Sequence, residues 1–303
     1  MDTKLEDIKL QIGEVLTPGI DHALSQEQLT SIGANISGHF SDRLNREERA
    51  REPGKLWASD LGKPCVRQLY YEMVPPKDHE PKPEPLSVST KVKFLYGNIV
   101  EEMILGLVKA TGKYEVSGEQ MRFSSSYKGW TCSGKQDCII NGHTVDVKST
   151  SSYGFKDYNM NGLNDTNDKF GYRAQLGWYD SFNANSDKTP YFLMIDKQLG
   201  HVDVVPLLEW DRNKSSTLFK AKVDTLQLAF DNDAIPDRIE GATVPEGASG
   251  NLKLGTICSY CPSKNRCWPG LRTFLYSKGP VYLTRVMREP TALEITNAKE
   301  IIE

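Results

Sequence analysis

The richest chemistry sits in "SGKQDCIINGHTVDVKST", residues 133–150. Asp146 and Lys148 stand two apart, so on a strand they share one face while Val145 and Val147 turn to the other, towards a core. Asp137 lies in the preceding strand-like run, across an Asn141-Gly142 pair that signals a tight hairpin. Such a hairpin presents an acid and an amine side by side, with a second acid on the neighbouring strand. Two carboxylates can hold a hard divalent cation, Mg²⁺ or Mn²⁺, through oxygen ligands. The cation polarises a phosphoryl oxygen and acidifies a water molecule. The ammonium can orient that water or stabilise charge in the transition state. A D-x-K triplet by itself is most often an inter-strand salt bridge, so its surroundings decide.

A second cluster lies in "TICSYCPSKNRCWPG", residues 256–270, where Cys258-x2-Cys261-x5-Cys267 places three of the chain's six cysteines together. The N-terminus, "MDTKLEDIKLQIGEVL", is charged and carries no signal-type apolar run, which predicts a cytoplasmic protein. Thiols stay reduced there, so metal binding is the stronger reading and disulfides the weaker. The fourth ligand comes from Cys65, Cys132, Cys138 or a histidine. Cys132 and Cys138, taken as one strand in "WTCSGKQDCII", read more simply as small core residues. No histidine is near the cysteine run in sequence, and Cys65 lies far upstream in "SDLGKPCVRQLYY". Four thiolates suit zinc and iron–sulfur alike.

Several elements must position these groups. Residues 1–50 read as helical and polar, with Ser25 and Gln28 at capping-box spacing. Five prolines in "PPKDHEPKPEP", 75–85, predict an extended surface connection. In "KVKFLYGNIVEEMILGLVKATG", Ile99, Val100, Met103, Ile104 and Leu107 form one apolar helix face. Short strands fill 113–150. A helix over "FGYRAQLGWYDSFNA", two paired strands over "TPYFLMIDKQLGHVDVVPL" and a helix over "RNKSSTLFKAKVDTLQLAFDN" follow. Strands mixed with helices predict an α/β fold, a mixed central sheet flanked by helices. Net charge is −3, which argues against a passive nucleic-acid coat but allows a local basic groove. No run approaches the roughly 20 apolar residues that span a bilayer, so no membrane partner is expected.

The order Asp137, turn, Asp146-x-Lys148 resembles the PD-(D/E)XK nuclease signature in its RecB-like form. Two further marks of that branch occur in order: Gly97 followed by Glu101 in "GNIVEE", and Gln175-x3-Tyr179 in "QLGWY". Many relatives have His at the Glu101 position, and the adjacent Glu102 leaves the choice of acid open. A lone Cys65 before these motifs and C-x2-C-x5-C after them resembles the iron–sulfur nucleases of this branch, the AddB-type and CRISPR-associated exonucleases. The resemblance runs from about Trp57 to Trp268. It implies a restriction-endonuclease-like sheet and a structural [4Fe–4S] cluster on Cys65, Cys258, Cys261 and Cys267, with Zn²⁺ the alternative. The cluster would join the N- and C-terminal segments of the nuclease domain. By the same resemblance Glu101, Asp137, Asp146 and the Val147 carbonyl hold Mg²⁺ or Mn²⁺. Lys148 assists the attacking water, and Gln175 and Tyr179 position lysine, strand or scissile phosphate.

The expected organisation is an N-terminal helical region (1–55), a nuclease domain with its staple (56–270) and a C-terminal extension (271–303). The expected function is metal-dependent exonuclease action on single-stranded DNA or DNA ends. With no G-x4-G-K-[S/T] loop in the chain, a free-standing, phage-type enzyme of the host cytoplasm fits better than a helicase-linked one. The competing readings are an inactive iron–sulfur DNA-binding subunit and a zinc-stapled structural protein. Trp130, Tyr153, Tyr172 and Trp178 are candidates to stack bases, and Lys156, Lys169 and Arg173 to hold phosphates. Ordinary packing and solvated charge are the plainer explanations of both sets.

Overall fold

A computed structural model describes residues 4–19, 21, 23–45, 51–85, 88–183, 187–276, 279–290 and 295–300. In chain order the elements are α1 (Ile8–Val15), α2 (Gln26–Asn45), β1 (Lys55–Trp57), α3 (Val66–Met73), α4 (Val88–Ala110) and β2 (Val116–Ser117). Then come β3 (Arg122–Tyr127), β4 (Trp130–Lys135), β5 (Cys138–Ile140), β6 (His143–Thr150), α5 (Ser152–Asn161), α6 (Tyr172–Asp180), β7 (Tyr191–Asp196) and β8 (Val202–Pro206). The chain continues through α7 (Arg212–Asp231), β9 (Thr243–Pro245), β10 (Leu252–Leu254), α8 (Thr256–Ser259), α9 (Lys264–Cys267), β11 (Arg272–Tyr276), β12 (Gly279–Arg285) and β13 (Ile295–Glu300). The architecture is mixed α/β.

The chain divides into two compact units, and the divisions at 55 and 270 do not coincide with them. One unit comprises 1–49, 54–63 and 87–223; the other comprises 50–53, 64–86 and 224–303. The first holds a five-stranded mixed sheet, β2-β5-β6-β7-β8, in which β6 and β7 are parallel and the other neighbours antiparallel. Asn141 and Gly142 turn β5 into β6 with φ of 50° and 84°, the left-handed pair that a two-residue hairpin demands.

Strand β7 is buried on both sides and its side chains alternate between two cores. Leu193 and Ile195 join Val145, Val147, the α4 residues Val100, Ile104 and Leu105, and the N-terminal Leu5, Ile8 and Ile12. Phe192 and Met194 face Tyr158 of α5 and Leu176 of α6. The first residues are therefore core-forming rather than merely polar, and they belong to the unit of the central sheet. Each of these buried aliphatic side chains contributes about 1.5–3 kcal/mol. The predicted α4 face is present at Val100 and Ile104, but Met103 is 47% exposed. The capping box is present: Ser25 Oγ accepts from Gln28 N–H, and Gln28 Oε1 accepts from Ser25 N–H.

The run "WTCSGKQDCII" is not one strand. It breaks at Gln136-Asp137 into β4 and β5, which belong to different sheets. Strand β4 lies between β1, parallel to it, and β3, antiparallel, in a three-stranded sheet of the same unit. Gln136 makes the break: it is buried, its N–H donates to Met121 O and its amide Nε2 to Gly118 O.

The other unit carries the sheet β13-β11-β12-β10-β9, helix α3 and the cysteine segment. The proline-rich stretch 75–85 is irregular, as expected, but it is not idle. Glu80 pairs with Arg266 and Glu84 with Lys264, while Arg266 also donates to the Val74 and Pro75 carbonyls. Glu84 N–H donates to Pro262 O at 2.9 Å. The segment thus clamps the short helix that ends at Cys267.

Candidate active site

Three elements of the first unit bring the predicted acids together. Asp146 and Lys148 project from β6, Asp137 stands at the break before β5, and Glu101 lies on α4. Asp146 is 1% exposed, and its Oδ2 is 2.5 Å from the Lys148 ammonium. The two form a close, buried ion pair. Asp137 Oδ2 accepts the Val147 N–H at 2.7 Å, which ties the break to the neighbouring strand. Glu101 Oε1 accepts from Gln120 Nε2 at 2.8 Å.

The electrostatics place these groups in one environment. Burial, then the Asp146 and Glu101 charges, push the Asp137 carboxyl well above the usual carboxylate range. Burial also raises Glu101, with Lys148 opposing and Asp146 and Glu102 adding to the rise. Burial works against the charge on Lys148, but Asp146 and Asp137 outweigh it and hold the ammonium above the usual lysine range. Three acids gathered around one amine carry more negative charge than the amine balances, an arrangement that suits a divalent cation.

The structure separates Glu101 from Glu102. Glu102 is bound by α2, accepting from Asn35 Nδ2 at 3.1 Å and meeting His39 Nε2 at 3.2 Å. Glu101 faces the Asp146–Lys148 pair. Gly97, one helical turn earlier, has only Ser149 Oγ within 3.6 Å of where a Cβ would stand, ordinary contact distance.

Gln175 and Tyr179 lie one turn apart on α6, with Gln175 Nε2 at 3.5 Å from the Tyr179 hydroxyl. Burial raises the Tyr179 phenol to about 12, and its surroundings include Asp146, Asp137 and Lys148. Both residues border a cleft of ≈ 490 Å³. Asp168 fixes the start of α6: its two carboxylate oxygens accept the N–H groups of Gly171, Tyr172 and Arg173, each at 2.9 Å. Gly177 is required, because a Cβ there would stand 1.9 Å from the Trp210 indole nitrogen.

The other candidates divide. Tyr172 joins the site, with the Lys148 ammonium 5.4 Å from its ring centroid. Trp130 and Trp178 are buried core, and Tyr153 is 84% exposed. Arg173 is buried, paired with Asp165 and bound to Leu208 O, so it is a packing residue and not a phosphate ligand. Lys156 and Lys169 lie on the surface. Gln120 was not foreseen. Its left-handed φ of 56° and the contact with Glu101 depend on a turn that no spacing rule reveals.

The thiols form a separate cluster in the second unit. Cys65, Cys258, Cys261 and Cys267 line one cavity with Tyr71 and Ile257, and all are free. Burial pushes Cys258 up to about 11 and Cys261 to about 12; Cys65 and Cys267 raise Cys258 further, and Cys65, Cys258 and Cys267 raise Cys261. Cys65 is raised by burial and by Cys267. Cys132 and Cys138 are fully buried elsewhere; the charges that reach them are those of Asp60 and of the Asp137 cluster, respectively. The donor set fits a thiolate-ligated metal. The space enclosed is ≈ 20 Å³, close to the room one water-sized sphere needs. Among the described residues no three His, Cys, Asp or Glu side chains stand at the mutual spacing of a closed metal site.

No family model matches the sequence, and no curated protein matches it. Among solved structures, the crystal structure of SSO0001 is similar at 16% identity, with a TM-score of 0.40, over 63% of this chain and 84% of that one. A likeness of that size carries no argument about activity. Among the described residues no helix is long and apolar enough to cross a membrane.

Proposed function

We propose that the chain is a metal-dependent DNA exonuclease of the RecB-like PD-(D/E)XK group, built on a restriction-endonuclease-like sheet. The reading rests on the Asp146 carboxylate, which is buried, ion-paired with Lys148 and set beside Asp137 and Glu101. One ammonium does not balance three clustered carboxylates, and such a site is suited to a cation. Glu101, Asp137 and Asp146 would hold Mg²⁺ or Mn²⁺, which supplies charge to a phosphodiester and acidifies the attacking water. Lys148 keeps its proton and sets positive charge beside the same carboxylate, where it stabilises charge developing on the phosphate. Asp137 also pins the β6 backbone at Val147. Gln175 and Tyr179 hold the wall of the cleft through which DNA reaches these groups. End-labelled single- and double-stranded DNA, incubated with Mg²⁺, Mn²⁺ or chelator, tests the reading. Cleavage that needs metal and is lost in Asp146→Asn supports it; cleavage indifferent to both overturns it.

A [4Fe–4S] cluster on Cys65, Cys258, Cys261 and Cys267 is part of this reading. Zinc is the second reading of the same four thiols, since four cysteine ligands suit it equally. Anaerobically purified protein that is brown and contains iron supports the cluster. Colourless protein with one zinc and no iron supports the alternative.

A further inference from the structure

The outer face of the three-stranded sheet has a composition that the catalytic groups do not explain. Its inner face is ordinary: Leu56 and Cys132 are wholly buried. On the outer face, pairing sets the side chains in rows. Lys55 lies beside Thr131 and Ser126, Trp57 beside Ser133 and Ser124, and Lys135 directly opposite Arg122. Arg122 and Lys135 are both exposed. Like charges directly opposite on antiparallel strands destabilise a sheet. None of the three strands contains an Asp or Glu to relieve them. In a chain of net charge −3, the opposed Arg122 and Lys135 put two exposed cations side by side. Among the described residues neither Arg122 nor Lys135 makes an ion pair.

Trp57, the last residue of the edge strand β1, adds a large ring, 48% exposed, to this face. Its backbone N–H is held by Asp60 Oδ2 at 2.8 Å, and Asp60 is anchored in turn by Lys63. The ring is therefore presented from a fixed strand end. Ser133 and then Ser124 continue its row across β4 and β3, and both border the ≈ 490 Å³ cleft along with Trp57, Arg122, Lys135, Gln175 and Tyr179. Lys135 is two residues before Asp137, and Tyr179, which borders the same cleft, feels the charges of Asp146, Asp137 and Lys148. Cations that meet phosphates and an aromatic ring that meets an unpaired base are the two parts of a single-strand track. A paired base has both faces stacked within its own helix and has none to offer the ring.

We propose that this face guides one DNA strand to the carboxylates, with Trp57 stacking on a base and the opposed Arg122–Lys135 pair holding phosphates. The assignment rests on the nuclease reading for its substrate, but its test does not need cleavage. Binding of a fluorescent oligothymidylate, and of a duplex of equal length, is measured by anisotropy in chelator across a salt series. Trp57→Ala weakens single-strand binding about tenfold, leaves duplex binding unchanged, and Trp57→Phe restores most of the loss. The double variant Arg122→Ala, Lys135→Ala lowers the slope of log affinity against log salt by about 1.4, two phosphate contacts at about 0.7 each. The double variant also melts no earlier than the parent chain, because it relieves a repulsion. Wild-type affinity and salt slope in both variants overturn the assignment, as does an equal loss on single strand and duplex. A chain that binds through these residues but never cleaves keeps the assignment and removes the nuclease reading. A chain that cleaves while every variant binds normally does the reverse.

Discussion

Asp146 is the residue on which the site turns, and two predictions belong at this scale. Asp146→Asn keeps the volume of the side chain but removes its charge, so cleavage falls by about 10²–10³-fold, as does cleavage by Lys148→Ala. The companion readout is thermal. Mg²⁺ raises the melting temperature of the parent chain, since it binds the folded state alone, and the rise shrinks or disappears in Asp146→Asn. An equal Mg²⁺ shift in both proteins, with normal turnover, would remove Asp146 from the site. Glu101 and Glu102 should part company. Glu101→Gln loses cleavage with little change in stability. Glu102→Gln cleaves normally but is destabilised by about 1 kcal/mol, because it weakens the contacts to Asn35 and His39. The reverse pattern in paired melts and assays assigns the ligand to Glu102.

At the scale of an element, α6 matters most, since it carries Gln175 and Tyr179 to the cleft. Nine residues do not make a stable helix alone, and this one is held at its start by the triple acceptor Asp168. Asp168→Ala should cost about 1–2 kcal/mol, the loss of a strong N-terminal cap. It should also lower cleavage, though Asp168 lies outside the acid cluster, because the helix that aims Gln175 is loosened. A chemical melt together with a cleavage assay checks this; destabilisation with full activity would show that α6 does not aim the site. The break between β4 and β5 acts at the same scale. It puts Asp137 at a strand end, where its carboxylate can accept the Val147 N–H.

In the molecule as a whole the acids and the thiols fall in different units. Within the second unit, Arg266 is the main clamp on the cysteine segment, 7% exposed and bound to Glu80 and two carbonyls. Arg266→Ala should destabilise by about 2 kcal/mol, less than a fully buried pair because Glu80 can regain water. Cys65→Ala and Cys258→Ala should lose bound metal alike, whereas Cys132→Ala should keep it; metal content per chain distinguishes them. Spacing alone made much of this legible. The i, i+2 rule joined Asp146 to Lys148, i, i+4 joined Gln175 to Tyr179, and Asn-Gly marked the hairpin, because these relations are local and follow from backbone geometry. Cys65 could be matched to the distant cysteines only by resemblance, and the tertiary structure brings it to them. Local sequence was silent on three further points. It did not separate Glu101 from Glu102, which differ by one helical step and are distinguished by where α2 packs. It did not divide β4 from β5, which is settled by the buried amide of Gln136. It did not reveal the face shared by Trp57, Arg122 and Lys135, which strand register assembles across β1, β4 and β3. Short-range geometry is written in residue order, while packing partners and register depend on contacts between distant segments, and only the folded chain decides those.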